Sequence, residues 1–125
     1  MAYSYKYSSR AETELDSHLD YIANELHNPT AAQNFFRKIF EAIDNVCNFP
    51  QSGTLIDNDF VSDASIRRLL VDNYIVYYKP LDAERAIYIV RIVYGYRKQE
   101  DIWQFVAKNS AWKLHFFMLL FSLIY

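Results

Sequence analysis

The sequence holds one cysteine, two glycines and three histidines in 125 residues. A lone Cys47 excludes an intramolecular disulfide and leaves no thiolate pair for a structural zinc site. It falls in an apolar helical stripe, where a free thiol behaves as a small buried hydrophobe. Gly53 and Gly95 are too few for a phosphate-cradling glycine loop. His18, His27 and His115 show no His-x-x-x-His or His-Cys spacing, so neither metal nor cofactor is expected. His18 and His27 read as solvent-facing or helix-end residues. Nothing has the form of a nucleophile elbow. No charged-then-apolar leader opens the chain, and no uncharged run reaches the ~20 residues of a bilayer span. A cytoplasmic protein without a membrane span is the expectation.

What is present is apolar and aromatic. Hydrophobic residues make up 52% and aromatics 18%, which excludes a disordered or fibrous chain and supports one core. The net charge of -2 hides an asymmetry. Residues 1–64 carry Lys6, Arg10, Arg37 and Lys38 against ten acids, a balance of -6. Residues 65–98 carry Arg67, Arg68, Lys79, Arg85, Arg91, Arg97 and Lys98 against three acids, a balance of +4. An acidic helical half and a basic sheet half would suit a phosphate or an acidic peptide. The overall acidity argues against strong non-specific nucleic-acid binding.

Residues 3–7 alternate aromatic and polar side chains at strand period. Ser9 and Glu12 have capping-box spacing, which predicts Ser9 as the N-cap of a first helix. Its apolar stripe is Ala11, Leu15, Leu19, Ile22 and Leu26. Asn28-Pro29 ends that helix and starts the next, with Asn28 as N-cap and Pro29 at the first position. Phe35, Phe36, Ile39, Phe40, Ile43, Val46 and Cys47 give the second helix a wide apolar face. The short link makes the two an antiparallel hairpin. Residues 51–65 read as a loop. Strands follow at about 66–71, 74–80 and 85–94, joined by turns at Asp72-Asn73 and Pro80 to Glu84. The order β-α-α-β-β-β predicts an α+β fold, an antiparallel sheet with the hairpin on one face. A short helix is expected over 97–107.

Residues 112–125 are almost wholly apolar. They predict a helical tail that packs on the domain or on a second copy of the chain, an opening for self-association. The domain reading is therefore a core of residues 1–107 and an apolar extension over 108–125.

For chemistry, the sequence offers arginine and tyrosine. Arginine binds phosphate through a planar fork, and tyrosine can stack on a base or donate a proton. Metal-free RNA cleavage needs a base, an acid and cations. Arg67, Arg68, Arg91 and Arg97 are candidate cations, and Tyr94 or Tyr96 a candidate acid. A general base is not in view, apart from Lys79 and Lys98. Arg91 equally fits a structural ion pair or a carbonyl clamp. Simple strand parity puts Arg91 with Ile87, Ile89 and Val93, and Tyr94 with Tyr88, Val90 and Ile92, so the two converge only if the chain bends at Gly95.

An ordered set of short motifs runs from Tyr5 to about Trp103. It comprises Tyr5-Lys6-Tyr7-Ser8, Leu19-Asp20-Tyr21-Ile22, Asn28-Pro29-Thr30-Ala31-Ala32 and Phe49-Pro50-Gln51-Ser52-Gly53. It continues with Ile66-Arg67-Arg68-Leu69, Asn73-Tyr74-Ile75-Val76-Tyr77-Tyr78 and Arg91-Ile92-Val93-Tyr94-Gly95-Tyr96-Arg97. In this the chain resembles the RelE/ParE superfamily of toxins from bacterial type II toxin–antitoxin modules. The resemblance implies a growth-inhibiting toxin neutralised by a cognate antitoxin that wraps it. Two activities are implied. RelE-like members cut mRNA on the ribosome; ParE-like members inhibit DNA gyrase. The pattern from Arg91 to Gly95 is more similar to the ParE side, and residues 51–65 hold none of the lysines of RelE-type nucleases. Gyrase inhibition is favoured, with ribosome-dependent mRNA cleavage as the alternative and a non-toxic binding domain behind both. Under the nuclease reading the site residues are Arg67, Arg68, Arg91, Tyr94, Tyr96 and Arg97.

Overall fold

The computed structural model describes residues 2–56 and 63–95. In chain order these form β1 (Ser4–Tyr7), α1 (Ser9–Asp20) with a π-helical turn at Tyr21–Glu25, and α2 (Pro29–Asn48). There follow β2 (Thr54–Leu55), β3 (Arg67–Val71), β4 (Tyr74–Leu81), a 3₁₀ turn at Asp82–Glu84, and β5 (Ala86–Tyr94). The expected helix over 97–107, the tail over 108–125, and with them Tyr96 and Arg97, lie outside the described residues.

The five strands form one sheet in the order β1-β5-β4-β3-β2. It is mixed, not antiparallel as expected: β1 runs parallel to β5, and the other pairs are antiparallel. β2, inside the stretch read as a loop, adds a strand to the sheet. β2 is antiparallel to β3, β3 to β4 and β4 to β5. β5 therefore runs opposite to β2, and in the direction of β1.

Both helices sit on one face of the sheet, as expected. Ala11, Leu15 and Ile22 from the first helical segment join Ala32, Phe35, Ile39, Ile43, Val46 and Cys47 from α2 in one buried cluster with Val71, Val76, Tyr78, Ile87, Ile89 and Ile92. The start of α2 is as the sequence predicts: Asn28 Oδ1 accepts from the Ala31 N–H at 3.0 Å, with Pro29 following. The start of α1 is displaced by one residue. Ser8, not Ser9, is the N-cap. Its Oγ accepts from the Ala11 N–H at 2.9 Å and donates to the Val90 carbonyl at 2.8 Å. Only the serine adjoining the sheet can make both bonds.

Strand parity fails in β5. Tyr77 faces Arg91, but Tyr78 faces Ile89, so Val90 is an extra residue at a β-bulge. Ile87, Ile89 and Ile92 therefore share the helix-side cluster, while Tyr88, Val90 and Val93 belong to a second cluster with Ile66, Ile75 and Tyr77. Gly95 closes the arrangement. Its N–H donates to the Asn73 carbonyl at 2.7 Å, and a Cβ there would lie 2.8 Å from that same oxygen. No described helix is long and apolar enough to cross a membrane.

Candidate functional site

β1 pairs with β5 only as far as Tyr7 opposite Ile89. Beyond that point the β5 edge would present bare main-chain groups, which are costly when buried. Side chains of α1 take over from the missing strand. Ser8 Oγ meets the Val90 carbonyl, Glu14 Oε1 accepts from the Ile92 N–H at 3.2 Å, and His18 Nε2 lies 2.9 Å from the Ile92 carbonyl. A carbonyl can only accept, so Nε2 carries the proton in that bond. Glu14 and His18 are one helical turn apart and act on the same residue.

Arg91 emerges beside the bulge and is 3% exposed. Its Nε donates to Glu14 Oε1 at 3.2 Å and its Nη2 to Glu14 Oε2 at 2.5 Å, a two-pronged ion pair. Of the alternatives left open by the sequence, the geometry gives Arg91 the structural ion pair. Glu14 was not legible as its partner. The available signal was a glutamate and a histidine falling at positions 14 and 18 on the edge of the apolar stripe of Ala11, Leu15 and Ile22. His18 is correspondingly not solvent-facing. Its ring packs edge-on against Tyr74 and Phe35, with centroids at 4.8 and 6.4 Å.

Arg67 is also committed locally. Its Nη1 donates to the carbonyls of Gly53 at 2.7 Å and Gln51 at 3.2 Å. The same turn is held by Tyr78, whose hydroxyl donates to the Pro50 carbonyl at 2.9 Å and accepts from the Gly53 N–H at 2.8 Å. A Cβ at residue 53 would meet that hydroxyl at 2.6 Å, which is why the Phe49-Pro50-Gln51-Ser52-Gly53 motif ends in glycine. Lys79 is paired with Asp63 at 2.8 Å. Arg85 lies over the Tyr3 ring at 5.2 Å. Four of the five described cations of the basic half are thus engaged within the fold. Arg68 differs: it is exposed on β3 beside Leu70, which is 72% exposed.

Tyr94 is 45% exposed and stacks edge-on against Tyr74 at 5.5 Å. Burial, with neighbouring Tyr94 and Tyr21, raises the Tyr74 hydroxyl pKa above its ordinary value. Tyr94 thus joins a tyrosine cluster on the helix side, while Arg91 is drawn to Glu14. Among the described residues no group of three histidine, cysteine or acidic side chains could hold a metal ion. Candidate cations Arg67 and Arg91, candidate base Lys79 and candidate acid Tyr94 are therefore each fixed in separate local structures. Arg97 and Tyr96 lie outside the described residues.

Residues 5–99 match the family model described as the ParE toxin of the type II toxin–antitoxin system parDE. The chain belongs to the ParE toxin family. Solved structures carry the same fold at low identity. The chromosomal ParDE toxin–antitoxin system of P. aeruginosa is similar with a TM-score of 0.58 and 19% identity, covering 74% of this chain and 96% of that one. The RelBE2 toxin–antitoxin complex of Mycobacterium tuberculosis is similar with a TM-score of 0.54 and 14% identity, covering 75% and 99%. The isolated E. coli RelE toxin is similar with a TM-score of 0.50 and 14% identity, covering 86% and 97%. No curated protein sequence matches. ParE membership thus rests on residues 5–99, which among the described elements contain both helices, β2 to β5 and all of β1 but Ser4.

Proposed function

We propose that this ParE-family chain is a growth-inhibiting toxin that acts by binding a protein target, DNA gyrase, and not by cutting RNA. The observation that carries the reading is the commitment of Arg91 to Glu14 and of Arg67 to the Gln51 and Gly53 carbonyls. A phosphorane site needs cations that face the substrate. Here two of the candidate cations hold the fold together. Acid–base assistance, typically worth ~10²–10⁴ in rate, has no free base among the candidates described. Inhibition by binding needs only a complementary surface.

The neutralising partner in this reading is a cognate antitoxin, in the cytoplasm. Support comes from the family and from the similar structures, which are toxin–antitoxin systems of P. aeruginosa and M. tuberculosis. The rival, ribosome-dependent mRNA cleavage, would have to rely on Arg68, Tyr94, Tyr96 and Arg97.

The test is a supercoiling assay with purified gyrase. Addition of the chain should inhibit supercoiling in proportion to its concentration, and prior mixing with the antitoxin should prevent it. Undiminished gyrase activity, at concentrations that arrest growth when the chain is expressed, would overturn the proposal.

A further inference from the structure

The turn that follows α2 is pinned from beneath and open above. The Phe49 N–H donates to the Asn45 carbonyl at 2.9 Å, and the Ser52 N–H to the Phe49 carbonyl at 2.9 Å. Buried Tyr78 holds the Pro50 carbonyl and the Gly53 N–H, and Arg67 holds the Gln51 and Gly53 carbonyls. From the other side, the Tyr3 N–H donates to the Cys47 carbonyl in the last turn of α2 at 2.8 Å. On this fixed frame Phe49 is 64% exposed. A large ring held out to solvent by a preorganised backbone costs little ordering on binding, the setting of an interface anchor.

Beside Phe49 lies a hollow of about 360 Å³, whose lining includes Tyr3, Asn48, Pro50 and Asp82. That is within the ~300–1,000 Å³ of ligand sites. A second hollow of about 170 Å³ shares Gln51 and Asp82 with the first and continues past Leu55 and Pro80 to Arg67. The two form one groove with Asp82 at the junction.

The first hollow suits a cation. Asp82 is the one carboxylate in its lining, and no lysine or arginine lines it. The 20-residue α2 ends here without a basic residue in its last turn, so its own side chains leave the negative end of the helix dipole uncompensated. Tyr3 and Phe49 add ring faces, which attract cations. Tyr3 shows the effect: the Arg85 guanidinium lies 5.2 Å from its ring centroid. Arg85 does not cancel Asp82. The Tyr3 hydroxyl donates to Asp82 Oδ1 at 3.0 Å. Its pKa is raised, first by that bond, then by desolvation and by the Asp82 charge, and the opposing effect of Arg85 is the smallest of the four. Among the described residues, no group donates to Asp82 Oδ2.

We propose that this groove takes an arginine side chain presented by another polypeptide. The guanidinium pairs with Asp82 and lies against Tyr3 and Phe49 at the foot of α2. The adjoining main chain of the partner runs along the second hollow, past Leu55 and Pro80. Arginine is favoured over lysine because its planar fork both pairs with a carboxylate and stacks on aromatic rings. A polypeptide is favoured over a free guanidinium compound because the second hollow extends the first and offers Leu55, which is 49% exposed, to a neighbouring apolar residue. The inference does not depend on whether the target is gyrase or the ribosome, and its test does not read growth or gyrase activity.

The test is an NMR titration of the isotope-labelled full chain with a capped leucine–arginine–leucine tripeptide. Saturable amide shifts should fall on Tyr3, Phe49, Gln51, Ser52 and Asp82. The same tripeptide with citrulline, which keeps the shape and loses the charge, should bind several-fold more weakly, and so should the lysine version. Asp82→Asn keeps an oxygen for the Tyr3 hydroxyl and removes the carboxylate charge. It should weaken binding several-fold while melting with the wild-type chain. Should it melt lower, Phe49→Ala is the second variant, and it too should weaken binding several-fold. Absence of saturable shifts at these amides overturns the proposal. Equal affinity for the arginine and citrulline peptides, or affinity unchanged in both variants, overturns it as well. Methylguanidine binding as tightly as the tripeptide assigns the hollow to small cations and overturns the polypeptide assignment.

Discussion

Glu14 holds the Arg91 guanidinium and the Ile92 main-chain N–H with one carboxylate, tying the middle of α1 to the edge of β5. Both partners are largely shielded, with side chains 4% and 12% exposed for Arg91 and Glu14. Removing one member of such a pair strands a buried charge and typically costs ~3–5 kcal/mol. Glu14→Ala should lose stability on that scale in urea denaturation. The double variant Glu14→Leu with Arg91→Met should recover part of the loss, since neither charge is then left behind. A Glu14→Ala cost below ~1 kcal/mol, the range of exposed ion pairs, would show that the pair does not hold the fold.

Arg67 and Tyr78 clamp the same turn, through the carbonyls of Gln51, Gly53 and Pro50. Arg67→Ala and Tyr78→Phe should each destabilise by ~1–3 kcal/mol through lost bonds to buried or half-buried groups. Because they share one loop, the double variant should depart from additivity by ~0.5 kcal/mol or more. Strict additivity in thermal denaturation would mean the two act on separate structures.

Arg68 is the contrasting case. It is exposed on β3, and surface substitutions away from special features usually stay within ~0.5 kcal/mol. Arg68→Ala should melt with the wild-type chain. Growth inhibition measured on the same variant then reports recognition free of any folding defect. A substantially lowered melting temperature would place Arg68 among the structural arginines.

The pH dependence has two arms. Burial alone would raise the Asp63 pKa, but the Lys79 ammonium and the Ser65 donors outweigh it and hold the carboxyl below its ordinary value. That contribution is present above the unfolded carboxylate pKa of ~3.9 and is lost as pH falls through the lower folded value. Asp63→Asn should flatten the acid limb. At the other end, burial pushes the Tyr88 hydroxyl up to about 12. Its contribution is complete below the unfolded value of ~10 and is lost as pH rises towards the folded one. A shift of this size corresponds to about 2–3 kcal/mol. Stability curves against pH should show Tyr88→Phe losing less between those limits than wild type. Identical alkaline limbs would contradict the assignment.

Much of the fold was legible because its signals are local. The Asn28-Pro29 junction, the apolar stripes of both helices and the three long strands follow from capping chemistry and periodicity. What was missed depends on partners distant in sequence. β2 has two residues and no pattern of its own, yet it adds a fifth strand at the sheet edge beside β3. The Val90 bulge inserts one residue without a sequence marker and reverses the parity of everything after it. The choice of Ser8 over Ser9 as N-cap is decided by the Val90 carbonyl, far along the chain. The site residues were legible as residue types, but their commitments were not. Arginine reads the same in sequence whether it faces phosphate or a glutamate on the neighbouring helix.

The most direct test of the central claim is to map mRNA 5′ ends and plasmid topology within minutes of inducing the chain, without and with its antitoxin. The account predicts growth arrest with altered supercoiling and no new mRNA ends, all reversed by the antitoxin. Prompt in-frame mRNA cuts with supercoiling unchanged would contradict it and establish the nuclease reading.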